Sequence, residues 1–275
     1  MQTDLKNIIR FKEFEAYFGP RGVAVMAWWL GAVHAARIRQ DHNSFPFLLV
    51  LGDARIGKNL LLNYLQKLTG QTPYAYSLAR TTPAASARVV GRSGQQVIIC
   101  EHEGEPDDQI DWDSLKPLYT EGNIGVRSGD GVAELHVFRG ALVITANHSV
   151  QCSDAVTSRM ININFSDENP HATRVRPEAL SDIRHNEVID FGIKVGHSEE
   201  WIASNLEVLV PGHLGRLTRK YGENLSHRTA LNCAQMLALI DLLCTLLSFS
   251  EKLLFETREV IYDIAYSDAN QVRPA

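Results

Sequence analysis

The chain has only four cysteines in 275 residues, Cys100, Cys152, Cys233 and Cys244. They are widely scattered, with no CxxC pair and no histidine at metal-ligand spacing, which argues against a zinc site. A chain of this length buries a full core without disulfides, so the cysteines read as buried thiols of a reducing cytosol. Long apolar runs are also lacking. No charged-then-apolar leader opens the sequence, and runs such as Phe45 to Leu51 fall well short of the roughly 20 residues a membrane span needs. A cytoplasmic protein with no membrane contact is the expectation. Basic excess is missing too: Lys and Arg number 27 against 32 Asp and Glu, giving a net charge of -5 and a pI near 6.1. That balance argues against broad, sequence-blind coating of nucleic acid, which needs a basic face. It leaves room for contact through a few concentrated cations. Internal repeats and low-complexity tracts are absent.

What is present falls into three stretches. Ile8, Phe11, Phe14, Tyr17 and Phe18 recur at roughly helical spacing before a Gly19-Pro20 break, and a second helical stretch runs from Gly22 to Arg39. Trp28 and Trp29 in that stretch read as core rather than as a ligand platform. From Phe45 onward, short apolar runs alternate with amphipathic segments, the pattern of strands crossed by helices in an α/β sheet. The runs are Phe47 to Leu51, Val97 to Cys100, Ala141 to Thr145 and Ile161 to Phe165. Past Ser166 the strand pattern stops, and the rest is helical, with Leu231 to Leu247 strongly apolar. The expected division is a helical segment over 1–44, an α/β core over 45–168 and a helical bundle over 169–275.

The first strand runs directly into Gly52-Asp53-Ala54-Arg55-Ile56-Gly57-Lys58-Asn59, and a helical Leu60 to Leu65 follows. This is G-x-x-x-x-G-K with its required context, a strand before and a helix after. Gly52 and Gly57 let the backbone wrap so that its N–H groups face phosphate oxygens, and the helix N-terminus adds its positive end. Lys58 would reach the terminal phosphates as a point charge. A merely structural glycine turn is the alternative. Asn59 stands where the motif uses a Ser or Thr hydroxyl on Mg²⁺; an amide oxygen can ligate that ion, at altered reach.

The strand Val97 to Cys100 ends in Glu101-His102-Glu103, the layout in which a carboxylate at a strand's C-terminal edge serves the metal or activates the attacking water. Because His102 interrupts the pair, the two roles stay unassigned, with Glu101 first and Glu103 second, and a solvated acidic loop is the alternative. The strand Ala141 to Thr145 leads to Asn147, a polar group able to orient the lytic water, although strand-end asparagines are also common turn residues. Arg159 precedes the last strand, where an arginine can act as a finger into a neighbour's nucleotide; the plainer reading is a surface arginine. Between Glu101 and Asn147, two alternating segments flank Ser128-Gly129-Asp130-Gly131, which predicts a β-hairpin with its tip at Gly129 to Gly131 and Arg127 just before it.

Taken in order, GDARIGKN, VIICEHE, LKPLYTEGNIGVRSGDG, ALVITAN and SRMININF resemble the superfamily 3 helicases, a branch of the AAA+ ATPases, and in particular the helicase regions of mobile-element toprim-type primase-helicases. The resemblance covers about Phe45 to Phe165. It implies an AAA+-like P-loop NTPase, a three-layer α/β sandwich between the N-terminal helical segment and the C-terminal helical bundle. It also implies an ATP- and Mg²⁺-dependent homo-hexamer or other ring moving on single-stranded DNA in replication, with a primase or other replication protein as a candidate partner. By resemblance Lys58 binds phosphate, Glu101 serves metal and water with Asn59 beside it, Asn147 senses the γ-phosphate, Arg159 is the trans finger, and Lys116 and Arg127 are DNA contacts in the pore. No primase active site or origin-binding module is visible. Two other readings stay open: a weakly hydrolysing assembly switch that recruits replication or defence proteins, favoured by Asn59 and the Glu-His-Glu run, and a small-molecule kinase, in which the hairpin and Arg159 have no job.

Overall fold

The computed structural model describes residues 5–70, 75–77, 83–102, 110–120, 122–127, 133–165 and 175–270. The chain forms two compact units whose segments interleave: residues 32–58 and 71–166 make one, and residues 1–31, 59–70 and 167–275 the other. This division differs from the three consecutive segments expected from the sequence. Residues 32–44 belong with the sheet, and residues 59–70 belong with the helices.

In the first unit, β1 (Phe47–Leu51), β2 (Ala75–Ser77), β3 (Val97–His102), β6 (Ala141–Ala146) and β7 (Met160–Asn164) build one parallel sheet in the order β2-β3-β6-β1-β7. The four apolar runs of the sequence are four of these strands. The fifth, β2, has only the short Ala-Tyr-Ser and gave no apolar signal. Every residue of β1 and β6 is buried, as parallel strands covered on both faces require. On one face Phe47, Leu49 and Leu51 join Ile98, Cys100, Leu142 and Ile144 in a cluster closed by Val90, Trp112, Leu115 and Leu118. A separate antiparallel pair, β4 (Asn123–Arg127) and β5 (Ala133–Val137), is the predicted hairpin; its tip, Gly129 to Gly131, lies outside the described residues.

The base of that hairpin is held by a buried cation. Arg39, in the helix Ala35–His42, is 6% exposed. Its Nη1 donates to the Gly140 carbonyl at 2.9 Å and its Nη2 to the Phe138 carbonyl at 3.0 Å, and its guanidinium lies over the Phe138 ring. Burial pulls its pKa down to about 10. Gly122 sits beside it at φ +67°, where a Cβ would come 2.4 Å from the Phe138 carbonyl oxygen. Arg39→Met keeps the volume but strips two buried carbonyls of their donor, and each such loss costs roughly 1–3 kcal/mol. Urea unfolding of this variant is expected to give a stability about 2–4 kcal/mol lower; a loss below about 1 kcal/mol would mean that water replaces the guanidinium.

In the helical unit, the short helix Leu5–Ile8 precedes the helix Phe11–Ala32, which kinks where the Gly19-Pro20 break was expected: Gly19 takes φ 59°, ψ -161°. Phe14 stacks on Tyr64 at 4.8 Å and Phe11 on Phe249 at 5.6 Å. Trp28 and Trp29 are fully buried, the core role the sequence assigned them. The helix His227–Leu247 is long and apolar enough to cross a membrane, unlike the short runs read in the sequence, but 72% of its apolar window is buried. It packs against the helices Glu199–Tyr221 and Glu251–Ala269. Asp241 ties all three, accepting from Arg258 at 2.6 and 2.9 Å and contacting His213 Nε2 at 2.9 Å. Of the four cysteines, all free, only Cys100 and Cys233 are buried, and burial pushes both thiols up; Cys152 and Cys244 are partly exposed.

Candidate functional site

The site is assembled at the C-terminal edge of the parallel sheet, where open α/β sheets bind ligands beside a point of strand-order reversal. β1 is such a point, because the chain leaves it for β2 on one side and later places β7 on the other. Its ladder is extended by bonds from Gly52 N to the Ala146 carbonyl at 3.3 Å and from Phe165 N to the Leu51 carbonyl at 2.8 Å. The loop 52–57 then turns into the helix Lys58–Leu68. A side chain at Gly52 would meet Ile56 Cγ2 at 2.9 Å and Phe165 Cβ at 3.3 Å, and Gly57 has φ +97°, so both positions call for glycine. Arg55 is exposed and also has positive φ, +77°. That is an uncommon conformation for a residue with a side chain, of a kind that clusters at ligand loops.

Lys58 folds back over this loop. Its Nζ donates to the carbonyl of Gly52, to the carbonyl of Asp53 at 3.3 Å and to Asn147 Oδ1 at 2.9 Å. Partial burial lowers its pKa, opposed by the charge of Asp53. The contact with Asn147 spans 89 residues of sequence and exists because β6 lies directly beside β1, with Leu51 opposite Ala146. Glu101 is one strand further along, opposite Thr145, and its side chain is exposed at the same edge. The interrupting His102 has a structural partner, since its ring stands edge-on to the buried Trp112 at 5.7 Å. Asn59 is exposed in the first turn of the helix. Glu103 lies outside the described residues. The structure thus brings Gly52, Gly57, Lys58, Asn147 and Glu101 to one edge. The Lys58–Asn147 hydrogen bond was missed by sequence reasoning, as no local pattern signals it.

Arg159 is at the other end of the sheet. Its carbonyl accepts from Phe47 N at 2.9 Å, at the start of β1, whereas Lys58 follows the end of that strand. Five residues of strand separate the two by about 13 Å, and an arginine reaches only roughly 7 Å from its Cα at standard bond lengths. Arg159 and Lys58 of one chain therefore do not meet at one phosphate. The guanidinium lies 5.4 Å from the Tyr119 ring centre and donates to the Ala155 carbonyl. Lys116 forms an exposed pair with Asp113 at 2.7 Å, and Asp113 also accepts from Ser153 Oγ at 2.8 Å. These hydrogen bonds hold the Asp113 carboxyl below its ordinary range. Such an exposed pair exchanges readily for another anion. Arg127 ends β4 opposite Ala133; its side chain lies outside the described part of the structure.

No protein-family model and no curated protein matches the chain. Among solved structures, the active helicase Cch of SCCmec type IV aligns over 98% of this chain with a TM-score of 0.66 at 15% identity. The chain shares its fold with a helicase. It spans 52% of that protein's length. A candidate ATPase from Cytophaga hutchinsonii aligns over 95% of the chain and 89% of its own, at 13% identity and a TM-score of 0.47.

Proposed function

We propose that the chain is the nucleotide-driven motor of a DNA helicase or translocase, an AAA+-like P-loop ATPase working as a hexamer or other ring on single-stranded DNA in mobile-element replication. The observation that carries this reading is the Lys58–Asn147 hydrogen bond at the carboxyl edge of the parallel sheet, with Glu101 exposed at the same edge, beside a strand–glycine loop–helix unit. The helicase fold supports it. In this reading Lys58 and the loop N–H groups bind the phosphates of ATP, Asn147 orients the lytic water, and Glu101 and Glu103 serve metal and base roles. Glu101 has no ion pair among the described residues, and with Asn59 it offers the hard oxygen donors that Mg²⁺ prefers. No described group of three or more metal-ligating side chains occurs, so the ion would be held by one or two side chains plus phosphate oxygens, its usual habit in ATPases. Bound there, Mg²⁺ would neutralise phosphate charge. The test is the ATPase rate with and without single-stranded DNA, measured beside the oligomer mass in a non-hydrolysable nucleotide. DNA stimulation and a ring mass support the motor; a monomer indifferent to DNA sinks it.

The hairpin supplies the DNA side of this reading through Arg127 and Lys116. Each phosphate neutralised on a single strand adds about 0.7 to the slope of log affinity against log salt. Arg127→Ala combined with Lys116→Ala is expected to weaken DNA binding, flatten that slope and abolish DNA stimulation while nucleotide binding stays. An unaltered slope removes the pore-hairpin assignment.

A second reading, a slow ATPase that acts as an assembly switch for replication or defence partners, is favoured by Asn59 in place of a hydroxyl. If the amide slows turnover, Asn59→Thr restores ordinary magnesium geometry and is expected to raise the ATPase rate severalfold. No gain over an already brisk native rate would show that the amide is a competent ligand.

A further inference from the structure

The Lys58 ammonium has three N–H donors, and the structure gives it three acceptors: the carbonyls of Gly52 and Asp53 and the amide oxygen of Asn147. A phosphate oxygen can bind it only if one of these leaves. The two carbonyls are backbone groups of a tethered segment: Gly52 N is bonded to Ala146 at the end of the sheet, and the Asp53 carbonyl accepts from Ile56 N within the loop turn at 3.4 Å. Either carbonyl moves only together with the loop backbone that would cradle the phosphate. Asn147 Oδ1 alone sits on a side chain, which can turn about its own bonds without moving the backbone and is half-exposed after the end of β6.

We infer that Asn147 is an intramolecular competitor for the phosphate site, so that exchange of its amide oxygen for a phosphate oxygen on Lys58 sets the affinity for nucleotide. This rests on the phosphate-binding reading of the loop and adds to the proposed water-orienting role of Asn147. The exchange releases the amide, whose N–H₂ donors and oxygen become available at the same edge. Nucleotide binding is thereby coupled to a movement at the end of β6.

ADP isolates this role, because it has no γ-phosphate for Asn147 to sense. Calorimetric titration of ADP with Mg²⁺ is expected to give about tenfold tighter binding to Asn147→Ala than to the native protein, equivalent to about 1.4 kcal/mol, while ATP turnover falls. Asn147→Ser, whose hydroxyl is too short to hold Lys58 but suits the turn, is expected to behave likewise and guards against a folding defect in the alanine variant. Both variants are expected to melt lower than native without nucleotide and to match it at saturating ADP. ADP affinity that is unchanged or weaker in the folded variants overturns the competition while leaving the nucleotide site standing. No ADP binding by the native protein overturns the nucleotide site and the competition with it.

Discussion

Lys58→Ala is expected to lower nucleotide affinity at least a hundredfold and to remove ATP turnover. The side chain offers a half-buried positive charge to an anion at the loop's backbone N–H groups. Hydrogen bonds to charged groups contribute roughly 1.5–3 kcal/mol each, and every 1.4 kcal/mol is about tenfold in affinity. Two such bonds to phosphate therefore account for about a hundredfold. Because Lys58 opens the helix Lys58–Leu68 at the sheet edge and lies outside the apolar cluster, its loss is expected to leave the circular dichroism spectrum and the cooperative melt intact. Titration of ATP and ADP on the folded variant checks this. Native-like affinity would show that the loop is a structural turn and would remove the ATPase reading altogether.

Arg159→Ala has the second large expected effect, and it is a loss of rate with binding preserved. Since Arg159 and Lys58 lie at opposite ends of β1, a catalytic role for this arginine requires a neighbour's nucleotide. Fingers of that kind contribute about 10³ to 10⁵ in rate. The variant is expected to bind ATP normally and hydrolyse it at least about 10³-fold more slowly. Mixing it with Lys58→Ala protein is expected to recover part of the activity, because a mixed interface then joins an intact loop to an intact arginine. The contacts with Tyr119 and the Ala155 carbonyl supply the competing explanation, a purely structural arginine. That explanation predicts a lowered melting temperature, an unchanged rate per folded molecule and no recovery in the mixture.

Much of the candidate site could be read from the chain because its parts are local. The glycine loop is a run of eight residues from Gly52 to Asn59, and the strand before it and the helix after it carry their own periodicities. The hairpin was legible from two alternating segments around a glycine-rich turn, and the core tryptophans from their place in an apolar helix. The Gly19-Pro20 break was legible as a change of direction, which the structure resolves as a kink inside one helix. Where reading failed, the cause was also physical. β2 is three residues long and has no apolar run to reveal it. The helix His227–Leu247, by contrast, was legible from the strongly apolar Leu231 to Leu247, and it is apolar on nearly every side because other helices cover it.

Four of the five sheet strands, the turn at the glycine loop and the polar residue types at the strand ends were readable locally, since these follow from backbone sterics and from patterns that neighbouring residues set. Which of those residues come together is a matter of long-range packing. Strand order in a parallel sheet is set by long-range pairing, and no local pattern states that β6 inserts between β1 and β3. That insertion brings Asn147 to Lys58 across 89 residues and leaves Arg159 at the far edge, out of reach of its own chain's loop. It is equally long-range packing that gathers residues 59–70 with the helices rather than with the sheet that precedes them, because an amphipathic helix reveals that it has an apolar face but not what will cover it.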